Sequence, residues 1–349
     1  MKNIDTNYTE KFETGKLPHQ FLSDMFKNYI SDLEIKDERV IIGSKIGEDA
    51  AVIDMGETYL VAKTDPITFA TNQIAYYLIN VNVNDVVCTG AVPKWLQVTV
   101  LLPEKSTTKE MVRGLFKELH EVCDSMDITV VGGHTEVTSG LTRPIVVGNL
   151  LGEVDKDSLI STSGAEPGDV LILTKGLFIE GVSIIAREKE DLLRKKGFSE
   201  DFIRKCKNYL FDPGISVKKE ALLAASNFKI KSMHDPTEGG IATGIAEMTR
   251  ASNTGILIDK NKINILPEAL TLSKVFELNP LNTISSGSLL VAINEGESKD
   301  LIKLLNNNDI ICEEIGKFLP KERGLNIKDE QGKITQLIYS ERDEITKIF

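Results

Sequence analysis

Short runs rich in β-branched residues alternate with longer helical patterns along most of this chain, and this alternation limits the fold more than any other feature. The stretch 109–126 places apolar residues three and four positions apart and predicts an amphipathic helix, and 239–252 predicts another. The predicted strands are 50–55, 58–65, 95–103, 127–133, 143–154, 170–176, 288–294 and 310–318. The pattern therefore predicts an α/β or α+β fold.

The length of 349 residues favours two domains rather than one. A segment rich in Ser, Gly and Pro at 161–169 separates two sets of elements, and we place the domain boundary there. The predicted parts are an N-terminal extension with a helix (1–40), a first domain (41–160), a second domain (161–325) and a C-terminal tail (326–349).

The composition excludes several classes of protein. The net charge is −11 and no dense run of Lys or Arg occurs, which argues against nucleic acid as a partner. No stretch approaches the roughly 18 consecutive apolar residues of a membrane span. The polar N-terminus lacks a secretory signal, so we expect a cytoplasmic protein with no membrane partner. The four cysteines show no C-x-x-C spacing, and we expect each to be a small buried side chain.

The segment NVNVNDVVCTGAVP at 80–93 places Asn80, Asn82, Asn84 and Asp85 inside an apolar run. Amides and carboxylates are costly to bury unless each finds a partner. The stretch 71–89 predicts a helix that ends at Gly90, although its alternating valines also fit a strand. In either case these four polar side chains need partners elsewhere in the fold.

Four places put polar groups next to glycines or at the predicted ends of strands, where ligands gather in α/β folds. They are Asp49, Asp65, Asn84–Asp85 and Gly132–Gly133–His134. Carboxylates about 4 Å apart repel by roughly 4 kcal/mol at an effective dielectric near 20, so a cluster of them needs a cation. Hard oxygen ligands suit Mg²⁺, and glycines would let backbone amides approach phosphate groups.

Each of these places also has a structural alternative. Asp65 precedes a proline as a turn residue does, Asp49 fits a helix or loop cap, and His134 fits a packing histidine. The usual nucleotide motifs are missing, since neither G-x-x-x-x-G-K-[ST] nor G-x-G-x-x-G after a strand occurs. Spacing alone leaves open whether the four places meet in space.

The segments GEDAAV, TDPITF, NDVVCTGAVP, GGHTEV, HDPTEGGI and SSGS (285–288) occur in this order. They resemble the AIR synthase-related superfamily, and in particular its HypE-like hydrogenase expression/formation proteins, over roughly residues 12–319. The resemblance implies a two-domain α/β fold with a dimerising, ATP-binding N-terminal domain and a C-terminal α/β domain. It also implies Mg²⁺ and ATP as cofactors, a homodimer formed through the N-terminal domains, and a small-molecule substrate.

Site residues follow from the resemblance position by position. Asp49, Asp65 and Asp85 correspond to metal ligands, and Asp85 and His134 to catalytic residues. The other positions implied at the nucleotide and substrate cleft are Asn84, Gly132, Gly133, Asp235, Thr237, Gly239 and Gly240.

The chemistry implied by the resemblance is ATP-driven phosphorylation of an amide- or carbonyl-type oxygen of a small molecule. Two alternatives are a simple small-molecule kinase of the thiamine-monophosphate-kinase type and a nucleotide-binding scaffold without catalysis. The last cysteine is Cys312, so the cysteine tail of HypE proteins is not seen and we do not expect HypE's own reaction. His134 also stands where HypE proteins usually carry an aspartate.

Overall fold

The computed structural model describes residues 37–349 apart from 44–47, 69, 71 and 341, together with seven isolated positions among the first 36. The chain divides into two compact units, Met1–Lys36 and Asp37–Phe349. The predicted N-terminal extension lies almost entirely outside the described residues. All that follows concerns the second unit.

A six-stranded sheet forms the first half of this unit, with the strand order β1-β2-β3-β6-β4-β5. Its strands are β1 (Val40–Ile42), β2 (Ala51–Asp54), β3 (Thr58–Ile67), β4 (Val92–Pro103), β5 (Thr129–Thr138) and β6 (Ile145–Asp155). Neighbouring strands are antiparallel except β4 and β5, which run parallel. Two helices belong to this half, α1 (Ile74–Cys88) and α2 (Lys109–Ser125).

Helix α1 packs on β3 and β6, and nearly all of its side chains are buried. The helical prediction for 71–89 is confirmed, and the strand alternative is wrong. Gly90 ends the helix with φ +80°, and a Cβ there would lie 2.7 Å from the carbonyl oxygen of Ser158. Glycine is therefore the residue that lets the chain turn out of the helix at this point.

A seven-stranded sheet forms the second half, in the order β13-β12-β9-β11-β7-β10-β8. Its strands are β7 (Val170–Thr174), β8 (Ser232–His234), β9 (Thr254–Asp259), β10 (Leu290–Ile293), β11 (Cys312–Pro320), β12 (Leu325–Lys328) and β13 (Ile334–Gln336). The helices are α3 (Ile179–Glu188), α4 (Glu190–Lys195), α5 (Glu200–Asn208), α6 (Lys218–Asn227), α7 (Gly240–Ala251), α8 (Pro267–Val275) and α9 (Ser298–Asn306). Helix α7 matches the prediction for 239–252. The mixed α/β class with two sheets is confirmed.

Strand β7 is buried on both faces, which explains its uninterrupted apolar sequence. Val170 and Ile172 belong to one hydrophobic core, which continues through α6 and α1 to the first sheet. Leu171 and Leu173 belong to a second core, under α3 and α7. The second sheet therefore lies between the two cores. The first of these cores is shared by both halves, and α1 lies where the halves meet.

Local details differ from the sequence analysis. The strand predicted at 127–133 is longer, because β5 begins at Thr129 and continues through His134 to Thr138. Asp65 lies inside β3 rather than in a turn, because β3 continues through Pro66 to Ile67 and pairs with β6 along its whole length. The C-terminal tail (326–349), for which the sequence predicted no element, supplies β13 and packs on the second core through Ile345 and Ile348. Within the described residues, none of the helices is long and apolar enough to cross a membrane.

Candidate functional site

Three aspartates from distant parts of the sequence meet where the two halves join. Asp49 precedes β2, Asp85 lies in the last turn of α1, and Asp235 follows β8. One carboxylate oxygen of each lies within 4.8 Å of the others. Asp85 and Asp235 are buried and Asp49 is half-buried. The structure therefore brings together two of the three predicted metal ligands and adds Asp235, which the resemblance placed in the substrate cleft.

Burial makes this cluster electrostatically costly. It raises the pKa of Asp85 well above the ordinary range; the ammonium of Lys63 opposes this, and neighbouring aspartates reinforce it. Burial and the carboxylate of Asp49 raise the pKa of Asp235 to about 7. Asp235 Oδ2 accepts no hydrogen bond from the described residues, whereas Asp85 Oδ2 lies next to the ammonium of Lys63. Three converging carboxylates, two of them buried, form a donor set that fits Mg²⁺.

Lys63 connects the cluster to Asp65. Its Nζ lies 3.0 Å from Asp85 Oδ2 and 3.3 Å from Asp65 Oδ2, and the side chain is 16% exposed. Lys63 and Asp65 are two apart on β3, so their side chains share one face of the sheet. Burial opposes protonation of Lys63, but the carboxylates, Asp85 foremost, keep its pKa above the ordinary value. Sequence reasoning missed this lysine, and its signal was the K-x-D spacing on a predicted strand.

His234 is the second residue that sequence reasoning missed. Its Nδ1 lies 2.8 Å from Asp49 Oδ2 and its Nε2 3.0 Å from Glu247 Oε2. The ring is buried, which disfavours the charged form, yet the two carboxylates raise its pKa well above the ordinary value. A charged imidazole therefore holds Asp49 in place. The signal in the sequence was its position directly before Asp235.

The three asparagines of α1 have three different partners. Asn80 donates only within its own helix, to the carbonyl of Tyr76. Asn82 accepts the backbone N–H of Asp65 at 3.1 Å and so fixes β3 beside the cluster. Asn84 donates to the carbonyl of Ile215 and accepts the N–H of Val217, both at 2.9 Å. The Asn84 amide therefore ties α1 to the second half, and it is already engaged where the resemblance predicted a phosphate neighbour.

The structure does not bring Gly132, Gly133 and His134 to the aspartates of the same chain. Asp65 on β3 and Gly133 on β5 lie at the same level of the first sheet, with β6 and β4 between them. Three strand spacings separate their backbones, which is about 14 Å. The side chain of His134 is 62% exposed and lies 3.2 Å from Glu136 Oε2. A Cβ on Gly133 would lie 1.9 Å from the carbonyl oxygen of Val98, so this glycine permits the close approach of β5 to β4.

The remaining predicted positions shape the turn after Asp235. The carbonyl of Thr237 accepts the N–H of Gly240 at 3.1 Å, and the N–H of Gly239 donates to Asp343 Oδ2 at 2.6 Å. The φ angle is +78° at Gly239 and +63° at Gly240, in the left-handed region that glycine adopts more readily than other residues. A Cβ on Gly240 would lie 2.5 Å from the carbonyl oxygen of Leu281. The Thr237 carbonyl and the two glycines therefore fix the loop that presents Asp235.

Comparison with known proteins agrees with this architecture. The family model described as the N-terminal domain of AIR synthase related protein matches residues 47–154, and the C-terminal domain model matches 166–325. A putative hydrogenase expression/formation protein of Methanocaldococcus jannaschii is 25% identical over 91% of this chain and 92% of its own length. The thiamine-monophosphate kinase of Buchnera aphidicola subsp. Schizaphis graminum is 23% identical over 90% of this chain and 95% of its own length.

A crystal structure of the hydrogenase maturation protein HypE in complex with ATP superposes with a TM-score of 0.68. The superposition covers 95% of this chain and 97% of that protein, at 19% identity, and shows a shared fold. The two family models together cover more than two thirds of the sequence. The chain therefore belongs to the AIR synthase-related family.

Proposed function

We propose that the protein is a Mg²⁺- and ATP-dependent enzyme that phosphorylates an amide- or carbonyl-type oxygen of a small molecule. The observation that carries this proposal is the meeting of Asp49, Asp85 and Asp235, of which Asp85 and Asp235 are buried and Asp235 Oδ2 accepts no hydrogen bond from the described residues. A fold retained only for structure would gain stability from apolar side chains at these positions. The similarity to a HypE protein that binds ATP supports the nucleotide assignment.

The three aspartates would hold Mg²⁺, with Asp65 at the edge of the site through Lys63. Bound Mg²⁺ would neutralise the charge that develops during phosphoryl transfer. The ammonium of Lys63 supplies a fixed positive charge beside Asp85 at a position that a phosphate oxygen can reach. His234 keeps Asp49 in one orientation, because both of its ring nitrogens are engaged. Burial of Asp85 and Asp235 limits access of water to the transferred group.

A second candidate is simple phosphate transfer to a metabolite without further reaction. The similarity to a thiamine-monophosphate kinase over 90% of this chain favours it. The two reactions differ in their product. A labelled γ-phosphate that stays on the metabolite indicates a kinase, whereas release of the phosphate with a new bond in the metabolite indicates activation of an oxygen.

Calorimetric titration of ATP into the purified protein tests the site. We expect ATP to bind in 5 mM Mg²⁺ and not in EDTA. In Asp65→Asn we expect ATP binding to weaken by about tenfold or more, because loss of this carboxylate removes one partner of Lys63, whose ammonium would face the nucleotide. Equal binding with and without Mg²⁺ would contradict the metal assignment. ATP that binds but stays intact during incubation with metabolite extracts would contradict catalysis.

We further propose a homodimer that forms through the first sheet. Strand β5 is an edge strand, and Val130, Val131 and Val137 on it are largely exposed, as is Phe116 on α2. An exposed apolar edge of this kind is typical of a surface that is covered by a partner. The same interface would place His134 beside the second protomer.

Light scattering during size-exclusion chromatography should give twice the chain mass for the wild type and a monomer for Val131→Lys, because a charge on this strand would be buried in the interface. Ile334→Lys is the matched control, since Ile334 is an equally exposed apolar residue on the edge strand β13 (55% against 51%). A monomeric wild type, or dimers that persist in Val131→Lys, would contradict the proposed interface.

A further inference from the structure

The C-terminal tail packs against the loop 235–240, which presents Asp235 to the aspartate cluster. Past β13, the carbonyl of Ser340 accepts the hydroxyl of Thr243, in the first turn of α7, at 3.0 Å. A Cβ on Gly239 would lie 2.8 Å from the same carbonyl oxygen. The tail is therefore in direct contact with the loop and with the helix that follows it.

A buried carboxylate makes the strongest of these contacts. Asp343 is 6% exposed; its Oδ2 accepts the N–H of Gly239 at 2.6 Å, and its Oδ1 accepts the N–H of Ile345 at 2.8 Å. Gly239 is the N-cap of α7, so the carboxylate also faces the positive end of this helix. Burial raises the pKa of Asp343 to about 6, and the N–H groups of Ile345 and Gly239 oppose this rise. The side chain is therefore mostly ionised at pH 7 and holds the loop through a charge-assisted hydrogen bond.

The conformation of this loop depends on contacts from outside it. Two consecutive glycines occur in the loop, both with positive φ, and glycine restricts the backbone less than other residues do. One outside contact is the hydrogen bond from the N–H of Ser285 to the carbonyl of Thr237, at 3.3 Å. Another is the hydrogen bond to Asp343 of the tail. Loss of the Asp343 carboxylate would therefore release the loop on the side of the tail.

The three aspartates of the cluster are supported in different ways. Asp85 lies on α1, and Asp49 is held by the ring of His234. Asp235 lies on the loop, so its distance from the other two depends on how the loop is held. Mg²⁺ demands nearly ideal octahedral geometry, whereas Ca²⁺ accepts flexible coordination. A displaced loop should therefore weaken the binding of Mg²⁺ more than the binding of Ca²⁺.

We propose that Asp343 is a positioning residue for the metal site, and that the C-terminal tail sets the place of Asp235 through the N–H of Gly239. The inference rests on the proposed function, because it concerns the cation that the three aspartates would hold. The tail would thereby favour Mg²⁺ over cations that need less exact ligand geometry.

Binding of Mn²⁺ alone to the full chain, measured by the loss of the paramagnetic resonance signal of the free ion, tests the site, and competition gives the affinities of Mg²⁺ and Ca²⁺. In Asp343→Asn we expect Mg²⁺ to bind at least about tenfold more weakly. The affinity for Ca²⁺ should fall severalfold less. In the metal-free variant, the backbone amides of residues 235–243 should exchange hydrogen faster than in the metal-free wild type, because the loop loses its charged acceptor.

Thr243→Val tests the same support without a change in the carboxylate. It removes the hydroxyl that donates to Ser340, and it should shift metal affinity and hydrogen exchange in the same direction by a smaller factor. Asp329→Asn is the matched control, because Asp329 is another aspartate of the tail that accepts backbone N–H groups, those of Gln331 and Lys333. It lies in the turn between β12 and β13, so this variant should retain the metal affinities of the wild type.

A Mg²⁺ affinity or a loop exchange rate that stays at the wild-type level in Asp343→Asn would overturn the inference, as would absence of Mn²⁺ binding by the wild type. Equal losses for Mg²⁺ and Ca²⁺ would also overturn it, because a general loss of structure has that effect. Thermal unfolding identifies a variant that fails to fold, and Thr243→Val then carries the test.

Titration of ATP in Mg²⁺ into the same wild-type preparation reports on the proposed function separately. Wild-type protein that binds no ATP, alongside a Mg²⁺-selective loss in Asp343→Asn, overturns only the ATP-dependent function and supports the role of the tail. ATP binding by the wild type, alongside unchanged metal affinities in Asp343→Asn, overturns only the role of the tail.

Discussion

Asp85→Asn is expected to weaken Mg²⁺-dependent ATP binding and to lower ATP turnover, each by at least about 100-fold. Asp85 is a buried member of the aspartate cluster, and its carboxylate also holds the ammonium of Lys63 at 3.0 Å. The substitution keeps the shape of the side chain but removes the charge that would attract the cation. It also removes one of the two ion pairs of Lys63 and leaves the pair with Asp65, at 3.3 Å.

The measurements are calorimetric titration of Mg-ATP and release of labelled phosphate, with thermal unfolding of each variant to establish that it is folded. Asp259→Asn is the matched control, because Asp259 is also paired with a lysine, Lys328, at 2.7 Å. That ion pair is at the surface and contributes at most about 1 kcal/mol. Nucleotide binding by Asp85→Asn at the wild-type level would show that the cluster is not the metal site.

Glu180→Gln is expected to stabilise the protein at alkaline pH. The pKa of Glu180 is raised from 4.5 to about 7, chiefly because the side chain is buried. The carboxyl therefore does not disfavour the folded state below about pH 4.5. As the pH rises through 7 the unfolded chain is ionised at this position at no cost, and the folded chain loses about 3 kcal/mol of stability. Glutamine cannot ionise, so the variant should gain up to about 3 kcal/mol at pH 8 and almost nothing at pH 4.5.

Chemical denaturation of the two proteins between pH 4.5 and 8 measures this difference. Glu220→Gln is the control with the opposite sign, because Glu220 is equally buried but lies 2.9 Å from the ammonium of Lys175. Loss of that partner leaves a buried charge unpaired and should cost about 3 kcal/mol. A stability gain in Glu180→Gln that does not vary with pH would show that the pKa of Glu180 is not raised in the folded chain.

A stability gain in Glu180→Gln at alkaline pH would have a simple physical meaning. Active sites hold buried charges whose desolvation is offset only when a ligand arrives, so replacing such a charge improves stability and impairs function. Glu220 would show the contrasting case, in which the partner of a buried carboxylate is part of the fold itself.

The sequence predicted the secondary structure of the first half well, because its signals are local. The helix at 109–126 and the strand at 95–103 follow from the spacing of apolar residues, and Gly90 marks the end of α1. The strand predicted at 127–133 ended five residues too early. Its two glycines lie inside β5, where Gly133 is required because β4 lies too close for a side chain.

The candidate site was predictable in part. Asp49 and Asp85 were expected to approach each other, and the structure shows that they do, whereas their role as metal ligands is still a prediction. Lys63 and His234 were missed because the K-x-D spacing on a strand, or a histidine directly before an aspartate, does not by itself show which groups the side chain will meet. Their importance comes from partners that lie 22 and 185 positions away in the chain.

By itself, the sequence determined the alternation of strands and helices, the superfamily, and the residue types that suit a metal and a nucleotide. Only the tertiary structure decided how these residues combine. It placed Asp235 with Asp49 and Asp85, used Asn84 to tie the two halves together, and left Glu180 buried beside Ser286. The physical reason is that periodicity and turn chemistry depend on neighbours along the chain, whereas the charge and hydrogen bonding of a buried group depend on residues that folding brings from elsewhere.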